Sequence, residues 1–388
     1  MTVRRRVGRR WGVVALALVS CLVAFLLAEA AVRILAPQPV RVAWEDEWDG
    51  LRVPRPRVHG RHRVPGAFDV EVSINGQRFR GPREYAPRPA PGVTRVAVLG
   101  DSMTFGWGAE DSETYPAQLE VLLNDGRPLE IGAAGSGSFE VINAGYPGTC
   151  LGEKAAWYER GVRPLHPSLV VLTLLGDDVD GDLFWRVFSL DAEGRAVPSP
   201  LSLRGRGPRV SRSARRLFQS LPGYETLAER SQLFALVRKA VTRAASGERT
   251  TALGQSPATP EAERRFREEG LALLGAELRW LCDRTREDGA QLVVVLVPFR
   301  ESVYPATGWW PDELRWKSKA IGEAADRTCR EMGVPFRDLT PALSARAGIV
   351  PGPLYHEGSE THPTPAGYRA IAEEVAAFLR AAAVLGER

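Results

Sequence analysis

Short, unbroken apolar runs separated by residues at helical spacing constrain this chain more than any other feature. Val96-Ala97-Val98-Leu99 is one such run, and it stops at Gly100. Others lie at 169–175 (LVVLTLL) and 291–297 (QLVVVLV), and 139–142 and 334–339 read as further short strands. A strand that is apolar on both faces belongs to a parallel sheet covered on both sides, whereas a half-exposed strand alternates. Between the runs, residues 114–123, 153–161, 261–288, 312–332 and 364–379 carry apolar residues at the 3.6-residue period of amphipathic helices. Strand and helix in alternation predict an α/β protein, a three-layer α/β/α sandwich around a parallel sheet. Ligands of such sheets bind past the carboxyl ends of the strands. The residues just after each run are therefore the ones to read for chemistry.

Three stretches depart from this pattern. Arg4, Arg5, Arg6, Arg9 and Arg10 precede the uncharged residues 11–28. About 18 apolar residues is near the minimum for crossing the hydrocarbon layer, and the arginines place the N-terminus in the cytoplasm. The remainder would then be extracytoplasmic. Ala28-Glu29-Ala30 also reads as a small-x-small cleavage site, and Leu18-Val19-Ser20-Cys21 as a lipoprotein box, although Cys21 has more apolar residues after it. All three readings export the C-terminal part. Residues 37–92 are rich in Pro and Arg and read as a juxtamembrane segment with one extended piece near 68–74, closed by Asn75-Gly76. Residues 189–260 are polar and basic with one helix near 224–244. They read as an insertion in a domain that runs from 93 to 388, either a lid or a solvated excursion. The chain thus divides into a tail and anchor at 1–36, a connector at 37–92, and the inserted domain.

The net charge of +4 is small for 388 residues. Its excess lies in the first ten residues and in 204–249, where the arginines mix with Ser, Gly and Pro. Neither has the form of a nucleic-acid footprint. Cys21, Cys150, Cys282 and Cys329 form no CxxC pair, so no zinc site or disulfide framework is implied.

Gly100-Asp101-Ser102 follows the first run directly. A serine at a strand exit presents its hydroxyl to the crevice, and Gly100 would let the backbone turn tightly. A hydroxyl is a weak nucleophile and needs a base nearby. By itself the tripeptide is common and would mean a turn. His362 is the base candidate. It precedes Thr364-Pro365, a natural N-cap followed by proline at the first helical position, so a short rigid loop holds it. His59 and His62 lie in the arginine-rich segment, and His166 falls at the amino end of a strand. His356 is a weaker rival close to His362.

Together these residues resemble the SGNH hydrolases, also called the GDSL esterase/lipase family. The first family block is matched by Leu99-Gly100-Asp101-Ser102-Met103-Thr104-Phe105-Gly106, and the second by Asn143-Ala144-Gly145-Tyr146-Pro147-Gly148. The third is matched by Leu175-Gly176-Asp177-Asp178 and the last by the residues around His362. The resemblance spans about 93–379. It implies a Ser102 nucleophile, a His362 general base, and an oxyanion hole made of the Ser102 and Gly148 N–H groups and the side chain at 177. It implies no metal or organic cofactor. Two positions depart from the family pattern. Position 177 is Asp where the family has Asn, and an ionised carboxylate cannot donate a hydrogen bond. Either Asp177 is protonated, or it has turned away, or the third donor is missing. Where the family has Asp, three residues before the histidine, this chain has Ser359, which leaves Glu360 to orient the imidazole.

The resulting expectation is an extracytoplasmic esterase acting on carboxylic esters, acetyl esters among them, of a small molecule or a glycan. Two other readings use the same residues: an O-acyltransferase that passes the acyl group to a sugar hydroxyl, and a binding module of little or no activity, which Asp177 and Ser359 motivate. Trp107, Trp185, Trp309 and Trp310 are candidates for lining a sugar groove, with core packing as the alternative. Arg300 is a candidate for meeting an anionic substrate, with surface exposure as its alternative.

Overall fold

A computed structural model describes residues 2–124, 138–199, 220, 222–246, 259–304, 312–357 and 361–384. Its centre is a five-stranded parallel sheet of β6 (Val93–Gly100), β7 (Ser138–Gly145), β8 (Leu169–Leu174), β11 (Gln291–Leu296) and β12 (Phe336–Asp338), in the order β12-β11-β8-β6-β7. The two-residue side-chain period divides β6 between the two faces of the sheet. Ala97 and Leu99 join a core with α4 (Leu151–Trp157), α9 (Leu271–Glu287) and α11 (Asp312–Met332). Val96 and Val98 face the opposite way, onto α3 (Tyr115–Leu123), α12 (Thr340–Arg346) and α13 (Pro365–Ala381). Both faces of the sheet are therefore covered, which is why its strands read as continuous apolar runs. The chain leaves β6 for β7 on one side and later returns to β8 on the other. This reversal opens a crevice at the carboxyl end of β6.

Five further strands precede the sheet: β1 (Val40–Arg41), β2 (Glu45–Trp48), β3 (Leu51–Pro54), β4 (Val58–Val64) and β5 (Phe68–Ile74). β1, β4 and β5 form an antiparallel sheet, and β2 pairs with β3. The sequence gives only the piece at 68–74, for a physical reason. β4 alternates buried and exposed residues, but two of its buried positions are Gly60 and His62 and its outward ones are His59, Arg61 and Arg63, so hydrophobicity does not alternate with burial. This sheet packs Val42, Trp44, Val72 and Ile74 on Phe105 and Tyr146, beside the crevice. Residues 37–92 are thus folded against the larger domain, where the sequence suggests only a connector.

The stretch 189–260 is folded in part. β9 (Phe188–Leu190) and β10 (Ala196–Pro198) form a hairpin. The helix expected near 224–244 is two, α6 (Tyr224–Arg230) and α7 (Gln232–Ser246), divided at Ser231. The helix expected at 261–288 consists of α8 (Pro260–Arg265), a π-turn at Phe266–Gly270, and α9. At the N-terminus, α1 (Thr2–Leu35) contains a segment, Trp11–Leu35, long and apolar enough to cross a membrane, and exposed over residues 11–27.

Candidate active site

Ser102 opens α2 (Ser102–Phe105), a single turn capped by Asp101, whose Oδ1 accepts from the Met103 N–H at 2.9 Å. At the first position of a helix, the Ser102 N–H has no acceptor within the helix. Gly100 does not occupy the left-handed region. It is glycine because α2 lies directly on the strand end, and a Cβ there would sit 1.9 Å from Thr104 Oγ1. His362 approaches from the far end of the chain, on the loop before α13 that Thr364 caps. Its Nε2 and Ser102 Oγ share a hydrogen bond of 2.9 Å across 260 residues of sequence. The His362 carbonyl accepts from the His356 N–H at 2.9 Å, so His356 helps to hold the loop through its backbone. The Trp107 ring stacks on the imidazole at 5.3 Å with 24° between planes. Tyr368 Oη, on α13, donates to the Trp107 carbonyl at 2.9 Å.

Gly148 lies three residues past β7, with φ +72°, a conformation that favours glycine. Tyr146 N–H donates to the Gly100 carbonyl at 3.0 Å, which ties this loop to the end of β6. Asp177 lies three residues past β8 and precedes α5 (Asp178–Trp185). Ser102, Gly148 and Asp177 therefore follow three adjacent strands, with β6 in the middle. Ser359 and Glu360 lie outside the described residues, as do Trp309 and Trp310.

The electrostatics at the strand ends turn on a residue the sequence does not single out. Lys154, on α4, is buried and donates from Nζ to both Asp178 oxygens, at 2.6 and 2.8 Å, and to the Thr173 carbonyl at 3.0 Å. Burial works against its charge, but Asp178, with Asp101 and Asp177, outweighs burial and holds the ammonium charged. Burial raises Asp178 to about 6, still below neutral, so this pair is charged at pH 7. Asp177 makes no such pair. Burial first, then the charges of Asp101 and Asp178, push it up to about 8, with Lys154 opposing. Of two adjacent carboxyl groups, one is ionised on a lysine and the other retains its proton at neutral pH, where it can donate a hydrogen bond.

Arg52 on β3 is a second residue missed. It donates through Nη2 to the Gly148 carbonyl and through Nε to Glu153 Oε1 at 2.7 Å, while its guanidinium lies 4.4 Å from the Trp185 ring. Glu153 in turn accepts from the Cys150 N–H at 3.3 Å, at the start of α4. Arg52 thus fixes the Gly148 loop against the helix that follows it. No sequence signal marks Arg52 among the other arginines of 37–92. Lys154 carries a weak one, a cation in a helix flanked by Ala155, Ala156 and Trp157.

The GDSL-like lipase/acylhydrolase family matches residues 98–370, well over half of the chain. This protein belongs to that family. The match takes in Ser102, Gly148, Asp177 and His362, the residues on which the resemblance rests. Solved structures of similar fold include a lipolytic protein of the G-D-S-L family from Desulfitobacterium hafniense, at 12% identity and TM-score 0.40, with 74% of this chain and 99% of that one covered. A catalytic mutant of an acetylxylan esterase from Geobacillus stearothermophilus aligns at 15% identity and TM-score 0.40, over 76% and 95%. The lipase/acylhydrolase from Enterococcus faecalis aligns at 13% identity and TM-score 0.38, over 74% and 96%. Comparison with curated proteins finds no match. The four cysteines of this GDSL-family chain are all free, Cys21 exposed and Cys150, Cys282 and Cys329 buried.

Proposed function

We propose that this GDSL-family protein is a membrane-anchored serine esterase whose site works outside the cytoplasm on acyl esters of a small molecule or a glycan. The observation that carries the reading is the 2.9 Å hydrogen bond between Ser102 Oγ and His362 Nε2 at the carboxyl edge of the sheet. Ser102 Oγ attacks the ester carbonyl as its proton passes to His362 Nε2. The oxyanion that forms accepts from the Ser102 N–H, the Gly148 N–H and the neutral Asp177 carboxyl group, each such donor being worth a few kcal/mol. Collapse expels the alcohol, which takes the proton from the imidazolium, and leaves an acyl-serine. Water, giving a proton to His362, then attacks the acyl carbon, and the carboxylic acid departs as Ser102 recovers its hydrogen. Glu360 orients the imidazole in this scheme, and Trp107 holds the other face of the ring. A protonated Asp177 supports turnover over mere binding, because the third donor is then present. The anchor is α1, with the arginines before residue 11 on the cytoplasmic side, and residues 37–92 connect it to the domain beginning at 93.

A fluorophosphonate probe tests the reading, since the serine oxygen displaces fluoride from phosphorus. The full chain in detergent is expected to be labelled and to hydrolyse short p-nitrophenyl esters. Ser102→Ala is expected to lose the label and to lower kcat on the order of 10⁶-fold with an unchanged circular dichroism spectrum. Hydrolysis that persists in Ser102→Ala overturns it.

A further inference from the structure

Helix α1 meets the inserted helix α7 around Glu29. Glu29 lies just past the uncharged residues 11–28 and is only 7% exposed. Its carboxylate accepts from Ser231 Oγ at 2.7 Å, from the Gln232 N–H at 2.9 Å and from the Leu233 N–H at 3.0 Å. Glu29 therefore caps the N-terminus of α7 from another element, satisfying N–H groups that have no partner within their own helix. Arg33, one turn further along α1, donates to Glu29 Oε1 at 2.8 Å and to the Arg230 carbonyl at 2.9 Å. The Gln38 N–H donates to Gln232 Oε1 at 3.1 Å. The break between α6 and α7 at Ser231 is thus built around the end of α1.

The outward face of α7 is unusual for a water-facing helix. Val237, Ala240, Val241 and Ala244 are all exposed, Val237 at 45% and Val241 at 39%. Their spacing of three, one and three residues puts them on one side of the helix. Lys239 points away from that side and is exposed. Alongside, a cleft of about 610 Å³ between α1, β4 and the α6–α7 corner is lined by Arg33, Arg61, Arg63 and Arg230, with Asp69 and Glu229. Eighteen residues at about 1.5 Å each span about 27 Å, close to the hydrocarbon thickness, so Glu29 and the start of α7 fall at the headgroup level of any bilayer that α1 crosses.

We propose that α7 is an interfacial helix, seated with its Val237, Ala240, Val241 and Ala244 face in the outer surface of that bilayer. The proposal rests on the reading of α1 as an anchor. Three features select a bilayer as the occupant. The stripe lies on a helix that starts against α1, whose apolar residues 11–27 are exposed. The Glu29 cap holds the two helices in fixed relation. The cleft at the same level sets four arginines against Asp69 and Glu229, and although Arg61 and Arg63 share Asp69 its lining is net positive and complements anionic headgroups, as the polar side of an interfacial helix does. On this account the insertion is neither a lid nor a solvated excursion; it is a second point of contact that sets how the catalytic domain stands on the membrane.

Spin labelling of the full chain in phosphatidylethanolamine and phosphatidylglycerol liposomes tests this. Labels are placed singly through Val237→Cys, Val241→Cys and Lys239→Cys in a Cys21→Ser background, and on the exposed Cys21 of the unsubstituted chain. Collision with oxygen reports the bilayer, and collision with a water-soluble nickel chelate reports solvent. The expected result is an oxygen-to-nickel ratio several-fold higher at 237 and 241 than at 239, with 21 higher still. Nickel access at 237 and 241 equal to that at 239 overturns the proposal. So does shielding of both labels from both reagents, which means that a second protein surface covers the stripe. The label at 21 keeps the two readings apart. If 21 is oxygen-rich while 237 and 241 are wet, only the placement of α7 fails; if 21 is itself wet, the anchor reading fails.

Discussion

At the scale of single residues, the chemistry turns on a carboxyl group standing where the family has an amide. On the proposed reading, the proton on Asp177 makes the difference between a donor to the oxyanion and a charge that repels it. With its folded value near 8 and an ordinary carboxyl value near 4, Asp177 keeps in the native state a proton that the unfolded chain gives up. Its contribution to stability is full below the ordinary value and is lost as pH rises through the folded one. Activity follows the same sign. The rate is expected to fall as pH climbs through about 8 and the carboxylate forms. Asp177→Asn, a donor at every pH, is expected to remove that alkaline fall, changing the rate little at neutral pH and exceeding the wild type above it. Profiles of kcat/KM for the two proteins on one p-nitrophenyl ester check this, because they report groups of the free enzyme. A wild-type profile that stays level well above pH 8, or an Asn variant with the same fall, overturns it. The Ser102 and His362 pair was legible in the sequence because each residue sits beside a strong local signal, a strand end or a helix cap. The state of Asp177 was legible only as a set of alternatives. It depends on Lys154 choosing Asp178, and a contact between α4 and α5 leaves no mark on the sequence of either.

At the scale of elements, the strands before residue 93 do more than connect. β3 brings Arg52 to the Gly148 carbonyl and to Glu153, so a strand outside the central sheet fixes the loop that carries Gly148, the second oxyanion donor of the proposed reading. Displacing a donor by about 1 Å costs on the order of 100-fold in rate. Arg52→Met is therefore expected to lower kcat by about that factor with a smaller effect on KM. Arg52→Lys is expected to recover little of it, because an ammonium cannot make the forked contact. Steady-state kinetics of both variants check this, and a kcat within about twofold of wild type in Arg52→Met overturns it. The same elements show where sequence reading stops. α11 runs over Asp312–Met332 as its apolar period indicates, and β11 starts at Gln291 as its run does. β6, β8 and β11 were legible because both of their faces are apolar. α5 was missed because it turns Asp178 and Asp182 inward while Phe184 stays exposed, the reverse of the usual pattern. β4 was missed for the same kind of reason, with Gly60 and His62 inside. α6 and α7 read as one helix because the cap that divides them comes from Glu29, about 200 residues earlier.

At the scale of the whole molecule, α6–α7 meet α1 through Glu29 and Arg33 and meet β4 through the Arg61 N–H, which donates to Glu229. Cleavage after Ala30 would remove Glu29 and leave the start of α7 uncapped, a loss of about 0.5–2 kcal/mol for an ordinary cap. The anchor is therefore expected to remain on the mature protein. Intact-mass measurement of the chain recovered from alkaline-washed membranes is expected to show residues 1–36 in place, and a mass that begins at Ala31 overturns this. The pairing of Ser102 with His362 has a further consequence for how the enzyme is made. Synthesis proceeds from the N-terminus, so, on the proposed reading, the hydroxyl at 102 exists for the time taken to add 260 more residues before its base does. Throughout that interval the nascent chain is chemically quiet. On that reading it becomes reactive only when the loop before α13 brings His362 to Ser102, so correct folding and the onset of activity are a single event.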